Sequence, residues 1–312
     1  MWKTSQGTID LTSSTKNCVA VQLLGGLGNQ LFQYCSARTL AKRLGATLLL
    51  DCTAKESWDR KFLLDRYFLK AHVADPREIR RTYFEVPGNL GRKITQRIHA
   101  KLPEVIRIGN QPFKILREKR HLHYDDRIEN ISGRIYLIGW WQSYRYFKNY
   151  LSDIKEDLQT AGLNIANSAW QLRIRRSNSV CVHVRRGDYF QHADYYGLCQ
   201  RSYFDNSMAL MRQRIAQPHF FIFSDDLVWC RETFEAPDLS FVDANGSEGA
   251  VEELALMASC GHHIISNSTL SWWAAWLATK PMQIVVAPTP WNLAEPSDAD
   301  LIPPHWIRIA QR

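Results

Sequence analysis

No apolar run in the 312-residue chain approaches the roughly 20 residues that a bilayer-spanning helix needs, so no helical span is expected. The opening residues, MWKTSQGTIDLTSSTKN, lack the apolar core of a secretory signal. The seven cysteines (18, 35, 52, 181, 199, 230 and 260) contain no CxxC pair, are odd in number and lie mostly in apolar segments. That argues against a zinc site or a disulfide framework and for buried thiols in a reducing cytoplasm. GK[ST] is absent, which excludes a P-loop, and there is no internal repeat or low-complexity tract. What remains is globular: 45% hydrophobic and 12% aromatic, long enough for two domains with real cores.

The formal charge of +8 is local in origin. Between Arg77 and Arg120 stand Arg80, Arg81, Arg92, Lys93, Arg97, Lys101, Arg107, Lys114, Arg117 and Lys119, with few acids among them. Such a face suits anionic lipid or a charged glycan carrier, or is simply solvated. Little aromatic interleaving and no nucleic-acid motif accompany it, so no nucleic-acid partner is expected. The resulting expectation is a cytoplasmic protein whose basic face either makes peripheral contact with an anionic membrane or is merely solvated.

Alternation of short apolar runs with helical periods points to an α/β fold. Strand, helix and strand are expected at 19–24, 30–44 and 47–51, and a further strand at 134–142. After a polar stretch at 161–179, taken as a linker, the pattern restarts with strands at 180–184, 220–223, 239–242, 263–266 and 283–287 separated by helices. The expected units are residues 18–165 and 175–290, each Rossmann-like, followed by an irregular Pro-rich arm at 291–312. Ligands of such sheets bind outside the carboxyl ends of strands, where the informative residues of this chain fall.

The first such place is Gly25-Gly26-Leu27-Gly28-Asn29-Gln30. Gly26 and Gly28 fit GxGxxG, but Leu31 occupies the third glycine position. Asp51 mimics the acid that holds a ribose, so a dinucleotide-dependent oxidoreductase is the rival reading. Glycines let backbone amides approach an anion, and a helix N-terminus adds partial positive charge. A tight structural turn is the plain alternative. The second place is the run from Cys181 through His183, Arg185, Arg186, Gly187, Asp188 and Tyr189. Strand alternation puts His183 and Arg185 on one face. Two arginines at a strand exit call for an anion, or for an internal ion pair with Asp188. The third is Ser266-Asn267-Ser268-Thr269, either a phosphate cradle or ordinary capping of the helix that carries Trp272, Trp273 and Trp276. Asp298-Ala299-Asp300 has a DxD form but follows no strand, Asp225-Asp226 is equally a capping pair, and His262 and His263 lack zinc-ligand spacing. No metal is expected.

In order, GGLGNQLFQY, GWWQSYRYF, HVRRGDY, FSDD, ELALMASCGHHIISNSTLSWWAAWL and IPPHWIRI resemble glycosyltransferase family 11, the α-1,2-fucosyltransferases, over nearly the whole chain. The resemblance implies a GT-B fold, with two Rossmann-like domains facing across a cleft and the donor held by the second. It implies inverting, metal-independent transfer of fucose from GDP-L-fucose to the 2-hydroxyl of a galactose-terminated glycan, in O-antigen or capsule synthesis, with no cofactor. Carried over by motif, Arg185 would bind the pyrophosphate and His183 the nucleotide. Ser268 and Thr269, with Ser266 and Asn267 beside them, would cradle phosphate. Gly26, Gly28 and Asn29 would close the site from the first domain. By looser analogy Asp243 would recognise guanine. GWWQ and Leu270 depart from the commonest family pattern. Transfer also needs charge stabilisation on the leaving diphosphate, the role of Arg185. A base for the acceptor hydroxyl would come from Asp188 or Asp194.

Overall fold

The structure, a computed structural model, describes residues 17–53, 61–82, 105–160, 162, 164–245, 249–278, 280–295 and 297–312. Strands β1 (Cys18–Gln22), β2 (Thr47–Asp51), β3 (His72–Val73), β4 (Ile79–Thr82), β5 (Val105–Ile108), β6 (Gln111–Arg117) and β7 (Arg134–Ile138) form one sheet. Their order is β3-β2-β1-β7-β6-β5-β4, parallel from β3 to β6 and antiparallel from β6 to β4. Every residue of β1 is buried, as a strand covered on both faces must be. Helix α1 (Leu27–Leu44) crosses from β1 to β2 and stops at Gly45, whose left-handed φ of 56° lets its N–H reach back to the last turn. Helix α2 (Leu151–Asp157) closes this unit.

The second sheet comprises β8 (Asn178–Val184), β9 (Pro218–Ser224), β10 (Leu239–Phe241), β11 (His262–Ile264), β12 (Val285–Thr289) and β13 (Ile307–Ala310). All its pairings are parallel, in the order β10-β9-β8-β11-β12-β13. Counted within the sheet this is 3-2-1-4-5-6, the doubly wound dinucleotide-fold order. Helices α3 (Ile165–Arg175), α4 (Ala193–Tyr196), α5 (Arg201–Arg214), α6 (Leu227–Thr233), α7 (Ala250–Ala258) and α8 (Thr269–Leu277) accompany it. The chain is thus α/β with two Rossmann-like halves, the GT-B arrangement.

The two halves share a core. Phe32 of α1, Phe147, and Trp272 and Trp273 of α8 are all fully buried. Phe32 lies 4.6 Å and 5.0 Å from the two indoles, and Phe147 stacks on Trp273 at 5.1 Å between ring centroids.

Three expectations need revision. The stretch taken as a linker contains α3, started by the Asn164 side chain accepting from Asn167 N. Its polar sequence hid it: beside the buried Ile174 the helix also buries Asn167, while Trp170 meets Phe221 of β9 edge-on at 6.4 Å. The tail ends not as an irregular arm but as β13, which lengthens the second unit to residue 310. Helix α1 starts at Leu27 rather than Gln30, so Gly28 belongs to its first turn. Six cysteines are buried, Cys52 is half-buried, and all seven are free thiols. Of the basic segment, Arg107, Lys114, Arg117 and Lys119 are exposed, whereas Arg92, Lys93, Arg97 and Lys101 lie outside the described residues. Among the described residues no helix is long and apolar enough to cross a membrane.

Candidate functional site

Strand order reverses between β1 and β7 in one sheet and between β8 and β11 in the other. These are the crevices where open parallel sheets receive ligands. GGLGNQ and GWWQ leave the first pair of strands, and HVRRGDY and SNST the second, so all four motifs fall at switch points.

The two crevices meet at Gly28. A Cβ built there would stand 2.5 Å from Thr269 Oγ1, 2.6 Å from the Thr269 carbonyl carbon and 2.7 Å from Leu270 N. Only glycine allows the first turn of α1 to touch the first turn of α8. Trp273 Nε1 seals the junction by donating to the Gly28 carbonyl at 3.0 Å. Neither helix has a side-chain cap or an acid in its first turn. The leading N–H groups of Thr269, Leu270 and Ser271, like the hydroxyls of Ser268 and Thr269, find no acceptor or donor among the described residues. Two positive helix ends thus abut without a built-in anion.

At the end of β8, His183 is buried and its Nδ1 lies 3.0 Å from Ser266 Oγ. Burial first, and Arg185 second, depress its pKa to about 3, so the ring is neutral. Arg185 Nη1 pairs with Asp225 Oδ2 at 3.1 Å, with its guanidinium 5.8 Å from the Tyr189 ring. Arg186 Nε pairs with Asp226 at 3.2 Å and lies over Trp229 at 3.8 Å. Acids at the end of β9, which lies alongside β8, meet both arginines; the backbone of Asp188 enters the short helical turn Asp188–His192, and its side chain lies outside the described residues. Asp226 also caps α6, accepting from Trp229 N at 3.1 Å.

Other expected residues are committed elsewhere. The Asn267 side chain donates to the carbonyls of Tyr196 and Gly197, so it ties down α4 instead of facing a ligand. Asp194 is exposed on α4. Asp243 is exposed and pairs with Arg231. Asp51, the ribose mimic, is fully buried and bonded to Thr53 and Tyr136, which leaves the oxidoreductase reading without its acid. Asp298 pairs with Arg308 and Asp300 with Arg145, which absorbs the DxD carboxylates. His263 bridges Met257 O and Gln283, and His262 accepts from Ile284 N, both structural roles.

Two carboxyls escaped sequence reasoning. Glu253, in the first turn of α7, is pushed up to about 7 by burial, against the pull of nearby Arg185. Glu118, just past β6, accepts from Trp140 N at 2.8 Å and Trp141 N at 2.9 Å, and burial raises it to about 7 despite those bonds. It pins a strained turn: Trp141 has φ of 55°, and a Cβ on Gly139 would fall 2.4 Å from Glu118 Cβ. The strand-end rule would have found Glu118 had β6 been recognised beside the basic run.

Buried imidazoles give the fold a pH dependence. Burial is the largest cause lowering His121, His183, His219, His262 and His263, with His183 at about 3 and His263 at about 4. A depressed imidazole contributes stability that is present above its unfolded value, near 6.5, and is lost on acidification. Glu118 and Glu253, raised, act oppositely between their ordinary range and about 7, but five imidazoles outweigh two carboxyls. The melting temperature is expected to fall between pH 7 and pH 5, and less steeply in His263→Gln. Calorimetry showing a rise over that interval would contradict the assignment.

Comparison with known proteins follows the same lines. Residues 108–310 match the family model described as glycosyl transferase family 11. An alpha-1,2-colitosyltransferase of Escherichia coli is 31% identical over 304 residues, covering 93% of this chain and 98% of its own. The O-antigen biosynthesis glycosyltransferase WbnK of Escherichia coli is 28% identical over 318 residues, covering 92% and 99%. The galactoside 2-alpha-L-fucosyltransferase Sec1 of Mus musculus is 36% identical over 107 residues, 32% of this chain and 29% of that one.

Proposed function

This chain belongs to glycosyl transferase family 11, and from that premise we propose that it moves L-fucose from GDP-L-fucose to the 2-hydroxyl of a galactoside, with inversion and without a metal. What carries this reading is the Gly28–Thr269 junction, where two uncapped helix ends supply unpartnered N–H donors and two free hydroxyls beside Arg185's strand. A diphosphate suits such a place.

The chemistry asks little else. As the sugar–phosphate bond breaks, positive charge develops on the sugar and negative charge on the departing diphosphate. Fixed donors aimed at that charge lower the barrier without reorganising. Arg185, arriving with Asp225 as counter-ion, would exchange part of that pair for phosphate oxygens, with its planar fork set by Tyr189. Neutral His183, locked by Ser266, would donate or accept at the nucleotide without adding charge.

A second donor has a specific observation in its favour. The colitosyltransferase aligns over nearly all of both chains, and colitose is fucose without its 3-hydroxyl. The test is transfer by the purified chain from GDP-L-fucose and from GDP-colitose to a β-galactoside, with linkage and anomeric analysis of the product. Transfer from GDP-L-fucose to the 2-hydroxyl with inversion is expected, and excess EDTA is expected to leave the rate unchanged. A preference for GDP-colitose reassigns the donor. Loss in EDTA reversed by Mg²⁺ or Mn²⁺ removes the metal-free mechanism.

A further inference from the structure

The crevice of the first sheet holds a polar relay that runs from Asn29 through Gln142 to His121. Gln142 Nε2 donates to Asn29 Oδ1 at 2.9 Å, so its Oε1 is left to accept. His121 Nε2 lies 3.1 Å from that Oε1. A carbonyl oxygen cannot donate, so the ring hydrogen resides on Nε2, and Nδ1 carries a lone pair. No described residue bonds to Nδ1. The half-buried ring stands 6.5 Å from Trp140, held by the Glu118 clamp on the strained turn at Gly139–Trp141. Asn29, at the other end of the relay, follows Gly28 and its contact with Thr269. Strain, a fixed tautomer and an unoccupied basic nitrogen thus converge one relay away from the helix junction.

We propose that His121 Nδ1 is the base that takes the proton of the attacking acceptor hydroxyl, a role resting on the transferase reading above. The hydroxyl oxygen bonds to the anomeric carbon as its hydrogen passes to Nδ1. The bond from that carbon to the β-phosphate oxygen breaks, and its electron pair leaves with GDP. The imidazolium keeps donating through Nε2 to Gln142 and releases its new proton to water. The relay explains why His121 is better suited than Asp194, which is exposed on α4. Burial lowers the His121 pKa, so the base form is present at neutral pH; the charged groups acting on the ring are Glu295, which pairs with Arg120, and His123, which faces Asp300.

The experiment is a pH profile of kcat on a galactoside acceptor, with GDP affinity read by calorimetry. Wild-type transfer is measured first, and a wild type inactive with both GDP-fucose and GDP-colitose overturns the transferase reading and this role together. With an active wild type, His121→Gln is expected to lower kcat by about 10²–10⁴-fold while GDP affinity holds, and to erase the acid limb of the profile. Gln142→Glu supplies a carboxylate acceptor that favours the imidazolium, and is expected to move that limb to higher pH. His121→Gln turning over within about threefold of wild type, or losing GDP affinity along with rate, overturns the role, and so does an unmoved limb in Gln142→Glu. Asp194→Asn serves as the comparison: a larger loss there than in His121→Gln returns the base to α4.

Discussion

Arg185→Ala is expected to fold and to lose transfer by on the order of 10²–10³, the loss typical of removing one preorganised charge stabiliser. The side chain projects from the end of a buried strand, is about a quarter exposed, and is held from both sides by Asp225 and Tyr189. Its strand, β8, and β11, which leads into the uncapped end of α8, flank the same switch-point crevice. Removing the guanidinium also leaves Asp225 and Glu253 without the positive charge between them, so the Glu253 carboxyl is expected to rise further. Arg185→Lys keeps the charge but not the planar fork, and is expected to recover only part of the rate. Turnover of the purified alanine variant, measured beside GDP affinity, decides the matter; near-wild-type values would remove Arg185 from the leaving-group role.

Gly28→Ala is expected to damage both stability and transfer severely for so small a substitution. The added methyl would meet backbone atoms of Thr269 and Leu270 at 2.6–2.7 Å, and backbone, unlike a flexible side chain, has nowhere to go. Overpacking of this kind costs about 1–3 kcal/mol, and displacing α8 by about 1 Å costs roughly 10²-fold in rate. Gly26→Ala is the control for stability. Its backbone is extended at φ −75° and a Cβ there meets nothing within 4 Å. Melting temperature and kcat of both variants should separate widely; equal behaviour would mean that α1 and α8 do not need their close approach.

The sequence made the fold class legible because β1 and β8 are apolar runs buried on both faces, a signal that survives without any tertiary knowledge. HVRRGDY and SNST were legible as candidate site residues because each stands at the end of a buried strand. What could not be read was lateral. That Arg185 would meet Asp225 depends on β9 lying next to β8, and strand order is not written in local periodicity. Asn267 looked like a ligand group and proved to be an anchor, since its partners, Tyr196 and Gly197, lie some 70 residues away. Glu118, His121 and Gln142 needed both the identity of β6 and the contact with Asn29. Helix α3 was missed because its sequence is polar even where it is covered: Asn167 is as fully buried as Ile174.

The aromatic seam has a consequence for cooperativity. Phe32 belongs to one sheet's helix and Trp272 and Trp273 to the other's, yet all are fully buried against one another and against Phe147. A hinge that parted α1 from α8 would bring these side chains into water at roughly 1.5–3 kcal/mol for each. Neither half can shed its neighbour without losing part of its own interior. Two sheets in topology are therefore one block in thermodynamics, and cutting the chain between them would yield two fragments, each with an open wound of tryptophan or phenylalanine.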